Sequence, residues 1–128
     1  MEGLSNFKME YLYLKWISPK TGKKHIIGAL CIKNGKYYFK LVKGYTKIKD
    51  EIEFPSNTIP FSDENKIYES KELFSIFKIR LPDIEKYSEN EKKELLEEYK
   101  LETYDEFEML KQTSGRLRLD NFIVEGEV

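Results

Sequence analysis

Along the first forty residues apolar and polar positions alternate with the period of a strand. Leu12, Leu14 and Trp16 interleave with Tyr11, Tyr13 and Lys15 over residues 9–17. That two-residue period sends alternate side chains to opposite faces of a sheet. Pro19 and Gly22 then supply turn chemistry, one pre-setting φ and the other permitting a positive φ. A second strand is predicted over 25–32 and a return strand over 37–42, with Tyr37, Phe39 and Leu41 on one face. Between them stands Asn34-Gly35, the pair that a type I′ hairpin turn requires at its two left-handed positions. The first 43 residues therefore read as an antiparallel meander.

Beyond residue 43 the strand period fades. Residues 44–50 fit neither a helical nor an extended pattern cleanly. Residues 52–55 read as a short edge strand, because Pro55 bars an interior one. Residues 55–66 read as a polar connection holding Pro55 and Pro60. From Ser70 the period becomes helical. Leu73, Phe74, Phe77 and Leu81 recur on one face, Ser70 is placed as an N-cap and Pro82 as a stop. Ser88 with Glu91 forms a capping box that opens a helix through residue 99, striped by Leu95, Leu96 and Tyr99. Thr103 with Glu106 repeats the signature before Tyr104, Phe107 and Leu110, and Gly115 is a stop. Residues 121–125 read as a last strand rejoining the sheet. Sheet first, about three helices next and a closing strand make an α+β domain.

Composition adds bounds to this picture. A chain of 128 residues with 40% apolar content, Tyr 9 and Phe 8 fits one domain with one core and no need of disulfide or metal staples. The single cysteine, Cys31, lies in an apolar run and reads as a buried thiol. No apolar stretch approaches the ~20 residues that span a bilayer, and the first residues lack the pattern of a leader peptide. A cytoplasmic location without membrane contact is the expectation.

Catalytic chemistry is sparse. His25 is the lone histidine, and one His with one Cys does not supply a metal site. On one extended strand, His25 and Cys31 would lie about 20 Å apart at ~3.3 Å per residue, too far to act as a nucleophile pair. There is no phosphate-cradling glycine loop and no kinase catalytic signature. The acid pairs Glu97/Glu98 and Asp105/Glu106 read as solvated helix faces. No enzyme activity and no cofactor are expected, so the chain is read as a binding module.

Charge sharpens that reading. Residues 1–50 hold eleven lysines against three acids, a balance of +8, and residues 51–128 carry −9. The two halves either fold against each other or present a basic face to an anionic partner. In the basic half Lys15, Lys23, Lys24, Lys36 and Lys40 interleave with Tyr38 and other aromatics. Bases stack on aromatic side chains, and lysines track phosphates, in single-stranded nucleic-acid binders. The same pattern describes a sheet with an aromatic core face and a lysine-guarded solvent face. No arginine occurs in this half, although arginine stacks and pairs better than lysine.

An ordered series of short motifs suggests a family. Ile27-Gly28-Ala29-Leu30 is followed by Asn34-Gly35 with Tyr37-Tyr38-Phe39. Then come Leu73-Phe74-Ser75-Ile76-Phe77 running to Leu81-Pro82-Asp83, a charged helix, and Asp105-Glu106-Phe107-Glu108-Met109-Leu110 before Gly115. In this order they resemble the N-terminal subdomain of HipA-type kinases over roughly residues 12–125. The 44–69 connection and the run Arg116-Leu117-Arg118-Leu119 depart from that family, and its nucleotide-binding residues have no counterpart here. The resemblance implies a free-standing, non-catalytic subdomain of the kind found in bacterial toxin–antitoxin systems, an antitoxin-like regulator. Its implied partner is a HipA-like kinase lacking this subdomain. Ile76 and Ile79, off the apolar stripe of the first helix, and the adjacent Arg80 are the candidate docking residues. The basic aromatic sheet is, alternatively, similar to the HIRAN domain, which recognises single-stranded DNA ends. A third option is a decoy that uses its acidic half.

Overall fold

The computed structural model describes residues 10–117 and 120–127; Met9, placed by its sequence in the first strand, lies outside them. Strands β1 (Leu12–Ile17), β2 (Lys24–Lys33) and β3 (Lys36–Leu41) form the expected meander. Asn34 and Gly35 turn β2 into β3 with φ of 52° and 76°, as a type I′ hairpin demands. β4 (Tyr68–Ser70) adds antiparallel to β3, and β5 (Phe122–Glu125) adds antiparallel to β1. The sheet order is β4-β3-β2-β1-β5. Among the described residues four α-helices accompany it: α1 (Tyr45–Glu51), α2 (Ser75–Lys78), α3 (Glu89–Glu98) and α4 (Glu106–Thr113). The α+β architecture and the closing strand that rejoins the sheet match the sequence expectation.

Alternation along the strands decides which face is buried. Leu12, Leu14 and Trp16 of β1, Leu30 of β2 and Phe39 and Leu41 of β3 join one core with Phe77, Phe107 and Leu110 from the helical layer. Phe39 is its centre. Its ring stacks on Phe61 at 4.2 Å and tilts toward Phe77 at 5.7 Å. Gly28 makes this possible, since a Cβ there would fall 2.3 Å from the Phe39 ring.

The stretch that fits neither pattern forms helix α1, whose N-cap amide Gly44 N and Thr46 N donate to the Glu64 carboxylate at 2.7 and 2.9 Å. Those donations hold the Glu64 carboxyl below the usual carboxylate range, with Lys40 adding a smaller attraction. Several other local expectations are overturned. No edge strand forms at 52–55. Glu53 takes φ of 57°, which turns Phe54 inward against Trp16 at 5.4 Å and Phe122 at 5.8 Å. The polar connection 55–66 delivers Ile59 and Phe61 into the core. Ser70 ends strand β4 and caps no helix; the predicted long helix shrinks to the single turn α2 after an extended Phe74. Ser88 and Glu91 do form their capping box at α3. The second box does not form at Thr103, because Asp105 caps α4 by accepting from Glu108 N.

One side chain ties these pieces together. Arg80 follows α2, and its side chain is 1% exposed. Its guanidinium donates to Ile76 O at 2.9 Å and Gly115 O at 3.1 Å, and forks onto both oxygens of Asp120 at 3.1 and 2.8 Å. It also lies 5.3 Å from the centre of the Phe122 ring. A buried charge is tolerated when it is paired and hydrogen-bonded, and Arg80 is held by an ion pair and four hydrogen bonds that join α2, the end of α4 and the entry to β5.

Removing this link strands Asp120 and two carbonyls. Arg80→Met is expected to lower stability by about 3 kcal/mol or more, read as a lower urea midpoint with an unchanged slope. Lys78→Met, an exposed control in the same turn, is expected to change it by under ~0.5 kcal/mol.

Candidate functional site

Among the described residues the large exposed apolar side chains are Tyr11 (41%), Ile32 (40%), Ile67 (60%) and Ile79 (62%). They fall in two pairs on two different surfaces. Tyr11 and Ile67 border a concavity on the sheet face that points away from the core. Ile32 and Ile79 border a groove at the hairpin end of the sheet, on the helical side. Scattered exposed aliphatics are ordinary on a protein surface, whereas paired ones around a concavity mark places where something else binds.

The sheet-face concavity has a volume of about 610 Å³. Its floor follows from register. Tyr13 pairs with Ala29, Ala29 with Lys40, and Cys31 with Tyr38, so these side chains share the face opposite Leu30 and Phe39. Tyr11 and Tyr13 stand with ring centres 6.4 Å apart. Lys33 and Lys36 face each other directly beside the Asn34-Gly35 turn. Cys31 is free and buried, and burial pushes its thiol up from the ordinary value against a smaller opposing effect of Lys33. His25 pairs with Trp16, on the core face, so His25 and Cys31 of β2 lie on opposite sides of the sheet.

The groove has a volume of about 910 Å³. Ile32 and Tyr37, a cross-strand pair at the end of the hairpin, form one wall. Ile79, Leu81, Pro82 and Ile84 form the other. Asp83, Glu85, Asp105 and Glu106 stand along its rim with Lys78 as the opposing charge. Tyr104 closes one end, its hydroxyl buried without a hydrogen-bond partner among the described residues. Burial raises the Tyr104 phenol to about 12, and Glu106 adds to the effect. The Tyr37 phenol is likewise pushed up to about 12, by burial first and then by Glu106 and Asp105.

The residues singled out from sequence divide between these surfaces. Of the three docking candidates, Ile79 alone is exposed. Ile76 and Arg80 are each 7% exposed: Ile76 fills the core and Arg80 is consumed by its internal bonds, which corrects their reading as contact residues. Among the basic candidates, Lys36, Tyr38 and Lys40 stand two residues apart along β3 and share the open sheet face. Lys40 also donates to the Glu64 carbonyl at 2.5 Å. Lys23 lies in the exposed β1–β2 connection. Lys15 is corrected, because it is buried and pairs with Glu125 at 2.9 Å; Lys24 is exposed and reaches the same carboxylate at 3.2 Å. Sequence reasoning missed Ile32, which its strand position hid, and the rim at Asp83 and Glu85, which only the turn after Pro82 brings beside Ile79.

No described helix is long and apolar enough to cross a membrane. Among the described residues no group of three or more His, Cys, Asp or Glu side chains is placed to hold a metal ion.

The Glu125 cluster carries a pH signature. The Lys15 hydrogen bond, followed by Lys24, holds the Glu125 carboxyl below the usual carboxylate range against its partial desolvation. Its contribution to stability is therefore complete above the carboxylate pKa of the unfolded chain and fades as pH falls through the lower folded value. Glu125→Gln is expected to lower the neutral-pH urea midpoint and to flatten the decline between neutral and acid pH. An equally steep decline in the variant would contradict this.

Comparison with protein-family models, curated proteins and solved structures finds no match to this chain in any of the three.

Proposed function

We propose that this chain is a non-catalytic protein-docking module that engages its partner through the groove between Ile32 and Ile79. The observation that carries the reading is the placement of Ile79. It is 62% exposed, yet it follows a helical turn whose Ile76 and Phe77 are buried and precedes Arg80, whose guanidinium makes four hydrogen bonds within the fold. An aliphatic side chain held out of the core by a rigid turn is an anchor whose ordering cost is already met by the fold. Interfaces concentrate their energy in a few such anchors surrounded by a polar rim. The motif order that resembles the HipA N-terminal subdomain names the kind of partner: a HipA-like kinase on which the module acts as an antitoxin-type regulator in the cytoplasm.

A second reading is supported by the opposite surface. Lys33 and Lys36 oppose each other across the hairpin, an arrangement that costs stability because like charges directly across a ladder repel. With Lys40 and the tyrosine pair nearby, they would meet the phosphates and bases of a single strand.

Two measurements separate the readings. Affinity capture from the native host is expected to recover a protein of kinase-like sequence, with recovery falling more than tenfold for Ile79→Asp. Recovery of no such protein would end the first reading. For the second, anisotropy of a labelled single-stranded oligonucleotide is read at about 50 mM salt, where lysine–phosphate contacts are strongest. Binding that is lost in Lys33→Glu/Lys36→Glu would support it, and absence of binding would remove it.

A further inference from the structure

The groove also specifies the chemistry of its occupant. Building on the docking reading above, we propose that it receives an extended segment of the partner bearing one aliphatic or aromatic side chain flanked by lysine or arginine. The apolar requirement comes from the walls. Ile32, Ile79, Leu81 and Pro82 face a cleft that would gain from an inserted hydrocarbon side chain.

The basic requirement comes from the rim. Among the described residues four carboxylates, Asp83, Glu85, Asp105 and Glu106, border the groove against one cation, Lys78. Internal chemistry accounts for part of this charge. Lys86 sits 3.7 Å from Asp83, and Asp105 caps α4 through one carboxylate oxygen. Glu106 lies in the first turn of α4, where carboxylates offset the helix dipole. Glu85 has no bonded partner among the described residues: it is exposed on the Ile84–Lys86 turn and reaches the same groove from a second element. Burial first raises the phenols of Tyr37 and Tyr104, and Glu106 adds to the effect at both and Asp105 at the first. Charge complementarity of this kind sets partner choice and encounter rate more than raw affinity. An acidic segment would be repelled, and a nucleic-acid strand would meet the wrong sign.

The test uses the full chain and random dodecapeptides displayed on phage, selected on immobilised protein and then made synthetically with a fluorescent label. Enriched peptides are expected to carry one large apolar residue with neighbouring Lys or Arg. Their affinity should fall at least tenfold in Ile79→Asp and by a comparable factor in Asp83→Lys/Glu85→Lys, and should weaken as salt screens the rim. All these substitutions are at exposed positions, and an unchanged urea midpoint checks that folding is intact. Backbone amide shifts on peptide addition locate the site. Peptides that map to the groove without basic residues would overturn the charge assignment and leave the docking reading standing. Peptides that map to the open sheet face would overturn both. Failure to enrich any peptide would overturn the proposed occupant, while capture of the native partner still decides the docking reading.

Discussion

The bidentate bond between Arg80 and Asp120 is the constraint on which the layout of this protein turns. Its fork joins a one-turn helix to the entry of β5, and a further bond reaches the carbonyl of Gly115 at the end of α4. Gly115 has little room there: a Cβ would come 2.9 Å from Val124 and 3.4 Å from the Arg80 side chain. Asp120 also accepts from the Phe122 amide, so the same carboxylate that holds Arg80 starts the edge strand. A hydrophobic pair of equal volume would fill the space, but it would not fix direction. The fork does, and because Arg80 points in, its neighbour Ile79 is held out.

That geometry links fold to surface. The sheet buries one face under the helical layer and leaves the other open around Tyr13, Ala29 and Tyr38. The charge polarity of the chain follows the same division only in part. Lys15, Lys20, Lys24 and Lys40 of the basic half are drawn to Glu125, Glu53 or the Glu64 carbonyl, so part of the +8 is spent inside the molecule. The acids at Asp83, Glu85, Asp105 and Glu106 instead gather around the groove.

Legibility in the sequence tracked how local the determining interaction is. The meander was readable because alternation and the Asn34-Gly35 turn are local, and the Ser88 capping box was readable because its two partners are three residues apart. Helix α1 was not, since its N-terminal amides are satisfied by Glu64, eighteen residues or more downstream. The apolar stripe at Leu73, Phe74 and Phe77 suggested a longer helix than exists. Those side chains converge on Phe39 and its neighbours through an extended Phe74 followed by one turn. Of the site, Ile79 was visible as an apolar residue off the stripe. The burial of Arg80 was not, because it depends on Gly115 and Asp120, which lie 35 and 40 positions away.

The central claim, that Ile79 meets a protein partner while the fold around Arg80 holds it out, is tested most directly by photo-crosslinking in the native host. A benzophenone amino acid is placed at position 79 in one variant and at position 38 in another, and the products are digested separately with nuclease and protease. The account predicts a discrete, protease-sensitive and nuclease-resistant adduct from position 79, with a much weaker one from position 38. Nuclease-sensitive adducts from position 38, with none from position 79, would contradict it.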